Sequence, residues 1–189
     1  MNVIEAIRTR RSIGRVKMDP VDREIVEQLL DAAAWAPNHY MTEPWKFIVM
    51  TGDGRQVLGD AYADIAAEQA AGRSEDQLGE LRAKSAAKAF RAPVVIAVAV
   101  SPAGEGKLPV IEEVAAVHCA VQNLLLAAHE LGLGAIWRSG EPMYHPRMLE
   151  AFSLPATDQM AGLVYIGYPD MEQPVVNRTP SAAKTVWIG

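Results

Sequence analysis

Residues Val114 to Leu131 read as a helix with apolar side chains on every face, interrupted only by His118, Gln122, Asn123, His129 and Glu130. A helix that is apolar all round has to be buried all round. In a chain of 189 residues this leaves two places for it, the centre of the domain or a subunit interface. Gly132 and Gly134 end the helix, and Ala135-Ile136-Trp137 follows as a short strand opening into Arg138-Ser139-Gly140.

The elements around this helix follow from local pattern. Pro93 to Ser101 is a continuous β-branched run, which predicts a strand covered on both faces. Gln159 to Gly167 is a second buried strand, and Trp45 to Met50 a third, closed by the Gly52-Asp53-Gly54 turn. Asn2 caps a first helix, with Glu5 in capping-box position and Ile4 and Ile7 facing inward, stopping near Thr9. Asp19-Pro20 predicts the start of a second helix, with Ile25, Leu29 and Ala33 on one face and Ala36-Pro37 ending it. Arg55 to about Lys88 reads as two charged, alanine-rich helices broken near Gly72, Ser101 to Pro109 as a loop, and Pro146 to Phe152 as a short helix. The sum is an α+β fold, a mixed sheet of about four or five strands wrapped by helices. From Tyr168 the chain is irregular, but it ends in Thr185-Val186-Trp187-Ile188. An apolar, β-type terminus after a loose segment implies docking on another body, such as a second subunit.

Composition removes several function classes. A formal charge of -5 and a pI near 5.4 argue against a nucleic-acid-binding surface. Glu5 and Arg8 interrupt any signal-like apolar start, and the purely apolar run Ala92 to Val100 is far short of the ~20 residues that span a bilayer. The single cysteine, Cys119, allows no internal disulfide and fits a cytoplasmic, reducing location. On the apolar helix, Cys119 reads as core and His118 as a hydrogen-bonded core residue. The four histidines and one cysteine show no metal-ligand spacing. There is no P-loop, no G-x-G-x-x-G and no G-x-S-x-G elbow. Any redox or group-transfer chemistry would therefore be borrowed from a cofactor.

Three segments carry candidate chemistry. Arg8 to Lys17 gathers five of the 18 basic residues of an acidic chain, with Ser12 beside Arg10 and Arg11, and Gly14 permitting close backbone approach. It is either a solvated charge run or an anion hook, because guanidinium forks match phosphate. Ala36-Pro37-Asn38-His39-Tyr40-Met41-Thr42-Glu43-Pro44-Trp45 is a loop between two prolines, either a plain connection or a ligand loop on a rigid scaffold. Trp137-Arg138-Ser139-Gly140 places a flat ring, a cation and a hydroxyl at a strand end, which serves either a β-turn or a ligand.

Taken in order, Arg10-Arg11-Ser12, Ala36-Pro37-Asn38-His39 with Glu43-Pro44-Trp45-Lys46-Phe47, Leu131-Gly132-Leu133-Gly134-Ala135-Ile136-Trp137-Arg138-Ser139-Gly140 and Tyr165-Ile166-Gly167-Tyr168-Pro169 resemble the nitroreductase family of flavoproteins. The resemblance runs from about Ile4 to Pro169 and is closest to the short bacterial branch. It implies a nitroreductase-like, mainly antiparallel sheet in an intertwined homodimer, with residues 1–189 as one domain and 170–189 as a tail docked on the partner. It implies FMN, reduced by NADH or NADPH, and ping-pong hydride transfer through the flavin N5 to nitroaromatics, quinones or similar acceptors. Arg10, Arg11 and Ser12 would hold the phosphate and ribityl end, His39 would lie near the flavin, and Trp137, Arg138 and Ser139 would line the site. Glu43 falls at a flavin-side position where the family usually has a neutral amide. Two rivals share the fold or the ligand: a flavoenzyme that dehalogenates or fragments flavin, and a non-enzymatic FMN-binding module.

Overall fold

The computed structural model describes every residue except 71, 103 and 105–107, so part of the expected Ser101–Pro109 loop lies outside the described residues. Among the described residues seven α-helices and four strands follow in the order α1 Val3–Thr9, α2 Arg23–Ala34, β1 Trp45–Thr51, α3 Gln56–Glu68, α4 Glu75–Ala86, β2 Val94–Val100, α5 Val110–Glu130, β3 Gly134–Arg138, the single-turn α6 Glu141–Tyr144, α7 Pro146–Ala151 and β4 Gln159–Gly167. The sheet order is β1-β2-β4-β3 and every strand pair is antiparallel. The fold is the expected α+β arrangement, and the parallel component is an isolated bridge from Ser12 to Ala135 on the outer edge of β3.

β2 and β4 are central because their sequences have no polar face to leave in water. All seven residues of β2 and all but the first of β4 are buried. One sheet face packs Val94, Ile96, Val98 and Val164 against Val26 and Leu29 of α2 and Val117, Val121 and Leu124 of α5. The other packs Val95, Leu163 and Tyr165 against Leu58 and Ile65 of α3, Met143 of α6 and Met148 of α7.

Four local expectations change. α2 begins at Arg23 and not at Pro20, because Val21 is drawn into the core and the chain stays extended through Asp22. In α1 only Ala6 is buried, while Ile4 and Ile7 are 58% and 52% exposed. α5 is buried along one side only. Ile111, Ala115, His118, Cys119 and Gln122 form an outward stripe at helical spacing, so neither His118 nor Cys119 is a core residue. The tail forms a 3-10 turn at Ser181–Lys184 and no strand, leaving Val186, Trp187 and Ile188 at 84%, 91% and 97% exposure. By length and composition α5 could cross a membrane, but its buried side is packed between the sheet and α2.

One irregularity shapes the site. Pairing of β2 with β4 shifts between Val98 and Ala99, skipping Ala161, the mark of a β-bulge. The Ala161 carbonyl instead accepts the Trp137 indole N–H at 3.1 Å. A Cβ on Gly162 would lie 1.9 Å from Trp137 Nε1, so glycine is required there. Gly162→Ala should destabilise the fold by about 1–3 kcal/mol through overpacking. Urea unfolding monitored by tryptophan fluorescence checks it, and an unchanged midpoint would contradict the packing role.

Candidate flavin and phosphate site

The basic segment is held along the free edge of β3. α1 ends with Arg10 as its C-cap, the Arg10 N–H donating to the Ala6 carbonyl. Ile13 N–H then donates to the Ala135 carbonyl at 3.0 Å, and Lys17 N–H to the Tyr168 carbonyl at 2.8 Å. The buried Ile13 side chain crosses so close to β3 that a Cβ on Gly134 would sit 2.7 Å from it. The close approach expected at Gly14 is therefore at Gly134; a Cβ at Gly14 would meet Arg138 Nη2 at an ordinary 3.8 Å.

Arg8, Arg10, Arg11 and Arg178 converge on one cavity of about 700 Å³, with Ile7, Gln122, Val176 and Asn177 completing its wall. Among the described residues none of the four arginines has a carboxylate partner. Burial, followed by the guanidinium groups of Arg11 and Arg178, pushes the pKa of Arg10 down. Arginine still keeps its charge in proteins, so these groups repel one another until an anion separates them. Arg11 is partly committed: its Nη1 donates to the Arg8 and Arg10 carbonyls at 2.7 and 2.8 Å, capping the end of α1.

A second cavity, of about 400 Å³, opens where β3 ends, lined by Trp137, Arg138, Ser139, Tyr62, Lys88 and Met143 among others. Arg138 lies over the Tyr165 ring at 5.6 Å, and its Nε is buried with no hydrogen-bond partner among the described residues. An orphaned charged donor is costly unless an acceptor arrives. Lys88 lies 5.9 Å from the Tyr62 ring, and the Tyr62 and Tyr165 hydroxyls meet at 3.2 Å. Burial pushes the pKa of both tyrosines up, most strongly for Tyr165, so the pair is neutral.

The third segment stands apart in the single chain. His39–Met41 is a 3-10 turn, and Tyr40, Met41 and Glu43 all have positive φ, at 52°, 56° and 46°. Such residues cost about 1–3 kcal/mol each and cluster where a loop serves a ligand or switch. Asn38 Oδ1 accepts the Glu43 N–H at 3.0 Å, His39 stacks on Tyr40 with ring centroids 4.2 Å apart, and His39 Nδ1 pairs with Glu112 in the first turn of α5. Glu43 is exposed and has no ion pair among the described residues, so it faces solvent and does not bridge to an arginine. Neither His39 nor Glu43 lines the two cavities. What links the segments is the outward side of α5: Glu112 meets His39, the His118 ring lies 5.2 Å from Trp137, and Gln122 enters the arginine cavity.

A sequence profile of the Nitroreductase family matches residues 7–168. The chain belongs to that family. A Bacillus subtilis relative, provisionally named an NAD(P)H nitroreductase, is 32% identical over 93% of this chain and 89% of its own length. A nitroreductase-like family protein from Bacillus cereus superposes with a TM-score of 0.83 at 30% identity, over 100% of this chain and 96% of that one. A Desulfovibrio desulfuricans protein, provisionally called a nitroreductase and solved with FMN, superposes with a TM-score of 0.72 at 30% identity, over 100% and 98% of the two chains. In this nitroreductase fold, sequence reasoning overlooked Arg178, Lys88, Tyr62 and Tyr165. Arg178 lies in the irregular tail, Lys88 in a charged run and Tyr165 in a strand that reads as core, so only tertiary packing assembles them.

The tyrosine pair has a pH consequence. An unfolded tyrosine ionises near about pH 10, and the folded values are raised. The neutral pair therefore contributes stability that is complete below about pH 10 and lost as pH rises toward the folded pKa. Between pH 8 and pH 11, Tyr165→Phe should lose less unfolding free energy than wild type, measured by urea titration at both pH values. An equal loss would contradict the assignment.

Proposed function

We propose that this chain is an FMN-dependent NAD(P)H oxidoreductase of nitroreductase type, acting as a cytoplasmic homodimer. The observation that carries the reading is a line of uncompensated cations. The arginine cavity lies at one end and the Arg138–Lys88 cavity at the other, and the Ser12–Ala135 bridge holds them on one strand edge. The residues fit FMN, which has a phosphate at one end and a flat, hydrogen-bonding ring at the other.

Bound FMN supplies the ability to take a hydride from NAD(P)H and pass electrons to a nitroaromatic, a quinone or a similar small acceptor. The chain's own residues bind and orient. Arg10, Arg11 and Ser12 grip the phosphate and ribityl end, with Arg178 neutralising the same anion. Trp137 and Ser139 wall the ring cavity. Arg138, whose Nε lacks an acceptor among the described residues, and Lys88 supply positive charge there, and such fixed cations would favour negative charge on a bound ring. His39 and Glu43 act at a flavin held mainly by the other subunit, because in their own chain they line neither cavity. Their positive-φ loop and the outward stripe of α5 support a shared site.

Residues 1–189 act as one domain, and the exposed tail supports dimerisation. β1 pairs only with β2, leaving its outer edge open among the described residues. A groove of about 560 Å³ lies beside that edge, walled by Val21, Val26, Leu30 and Val49. A partner's Val186-Trp187-Ile188 matches this edge and groove in backbone and apolar character.

Purified protein should be yellow, and anaerobic NAD(P)H should bleach it. Colour that persists would favour a binding module, and a colourless chain unable to take up FMN would overturn the reading. Arg10→Ala should lower flavin retention at least tenfold while thermal unfolding of the FMN-free protein moves little. Deleting residues 185–189 should raise the dimer dissociation constant more than tenfold by sedimentation; an undisturbed dimer would exclude the tail.

A further inference from the structure

The arginine cavity carries more charge than one phosphate monoester neutralises. A monoester bears about -1.5 to -2 charges at neutral pH. Arg8, Arg10, Arg11 and Arg178 each keep a full positive charge. With FMN held as proposed above, the reading on which this inference rests, about two positive charges remain. They remain in a chain whose net charge is -5, and among the described residues no acidic side chain lines the cavity to absorb them.

The excess lies at the rim. Arg10 and Arg11 are half-buried, whereas Arg8 and Arg178 are exposed. Arg11 is pinned by its bonds to two backbone carbonyls, and Arg178 sits near enough to Arg10 to act on its charge. Arg8, on the last turn of α1, is exposed, and its guanidinium has no partner among the described residues. The exposed amides of Gln122 and Asn177 share its cavity and can both donate to and accept from sugar hydroxyls. A second phosphate carried on a ribose is the chemistry that matches this rim. The two nicotinamide donors differ by one such group, the phosphate on the adenosine 2′ position of NADPH.

We propose that the rim of the arginine cavity is a subsite for the 2′-phosphate of NADPH, read by Arg8 with Gln122 and Asn177 beside the ribose. The enzyme accordingly prefers NADPH to NADH. One charge-assisted contact of this kind is worth roughly tenfold or more in affinity.

The FMN-loaded protein tests this. With a quinone as fixed acceptor, wild type should show a kcat/KM for NADPH about tenfold or more above that for NADH. Arg8→Gln should lower the NADPH value about tenfold, mainly through KM, and lower the NADH value far less. Calorimetric titration gives a readout without turnover. Adenosine 2′,5′-bisphosphate should bind wild type about tenfold more tightly than 5′-AMP, and Arg8→Gln should erase the difference. Equal use of the two donors by wild type would overturn the subsite. So would an Arg8→Gln variant that weakens both donors alike, since a general field and no specific contact would then be acting. Flavin absorbance per chain on the same samples separates the two readings: flavin present without donor discrimination removes the subsite alone, while wild type unable to hold FMN removes the reading beneath it.

Discussion

The attachment of the Arg10–Val16 segment to the free edge of β3 sets the distance between the molecule's two cationic cavities. The Ile13–Ala135 hydrogen bond and the Gly134–Ile13 contact lock the register of that segment. β3 is in turn positioned by β4, whose bulge at Ala161 turns a carbonyl toward Trp137. Without the bulge the indole N–H loses its acceptor, and without Gly162 the ring has no room. The anion cradle and the Arg138 cavity are thus two ends of one backbone arrangement, which a ligand with a phosphate and a ring can bridge.

How much of this was legible varied with the kind of information each element carries. β2 and β4 could be read almost to the residue, because a strand buried on both faces has no polar positions and announces its length directly. The start of α2 could not. Asp19-Pro20 has the local chemistry of a helix start, but burying Val21 outweighs it, and that depends on a core that local sequence does not contain. The site divides in the same way. Arg10, Arg11, Trp137, Arg138 and Ser139 stood out by composition at element ends, and each lines one of the two cavities. Arg178 and Lys88 are ordinary surface cations in sequence and become site residues only when the tail folds back past α1 and α4 packs beside α3.

The expectation that α5 is buried all round holds for one side of the helix only. One side is covered by the sheet and α2, and the other, from Ile111 through Cys119, is not. Next to it α1 exposes Val3, Ile4 and Ile7, and the tail exposes Val186, Trp187 and Ile188. So many large apolar side chains left exposed mark an interaction surface more often than the face of a monomer that works alone. In the proposed dimer the burial requirement passes from the fold to the assembly.

That transfer bears on the chemistry as well as on stability. The outward stripe of α5 passes the His39 loop, the Trp137 ring and the arginine cavity in succession. In the proposed dimer a second copy would cover this stripe from Ile111 to Cys119 and leave Gln122 at the rim of the arginine cavity open to ligand, and cations beside such a drier surface act more strongly on a bound anion as the local dielectric falls. The same cover would bring another chain's strained loop, with its His39 and Glu43, against a site its own chain cannot reach. Dimer formation and ligand binding then draw on one surface. In the proposed assembly a bound anion would offset the repulsion among the clustered cations, and the partner would cover the apolar surface beside them.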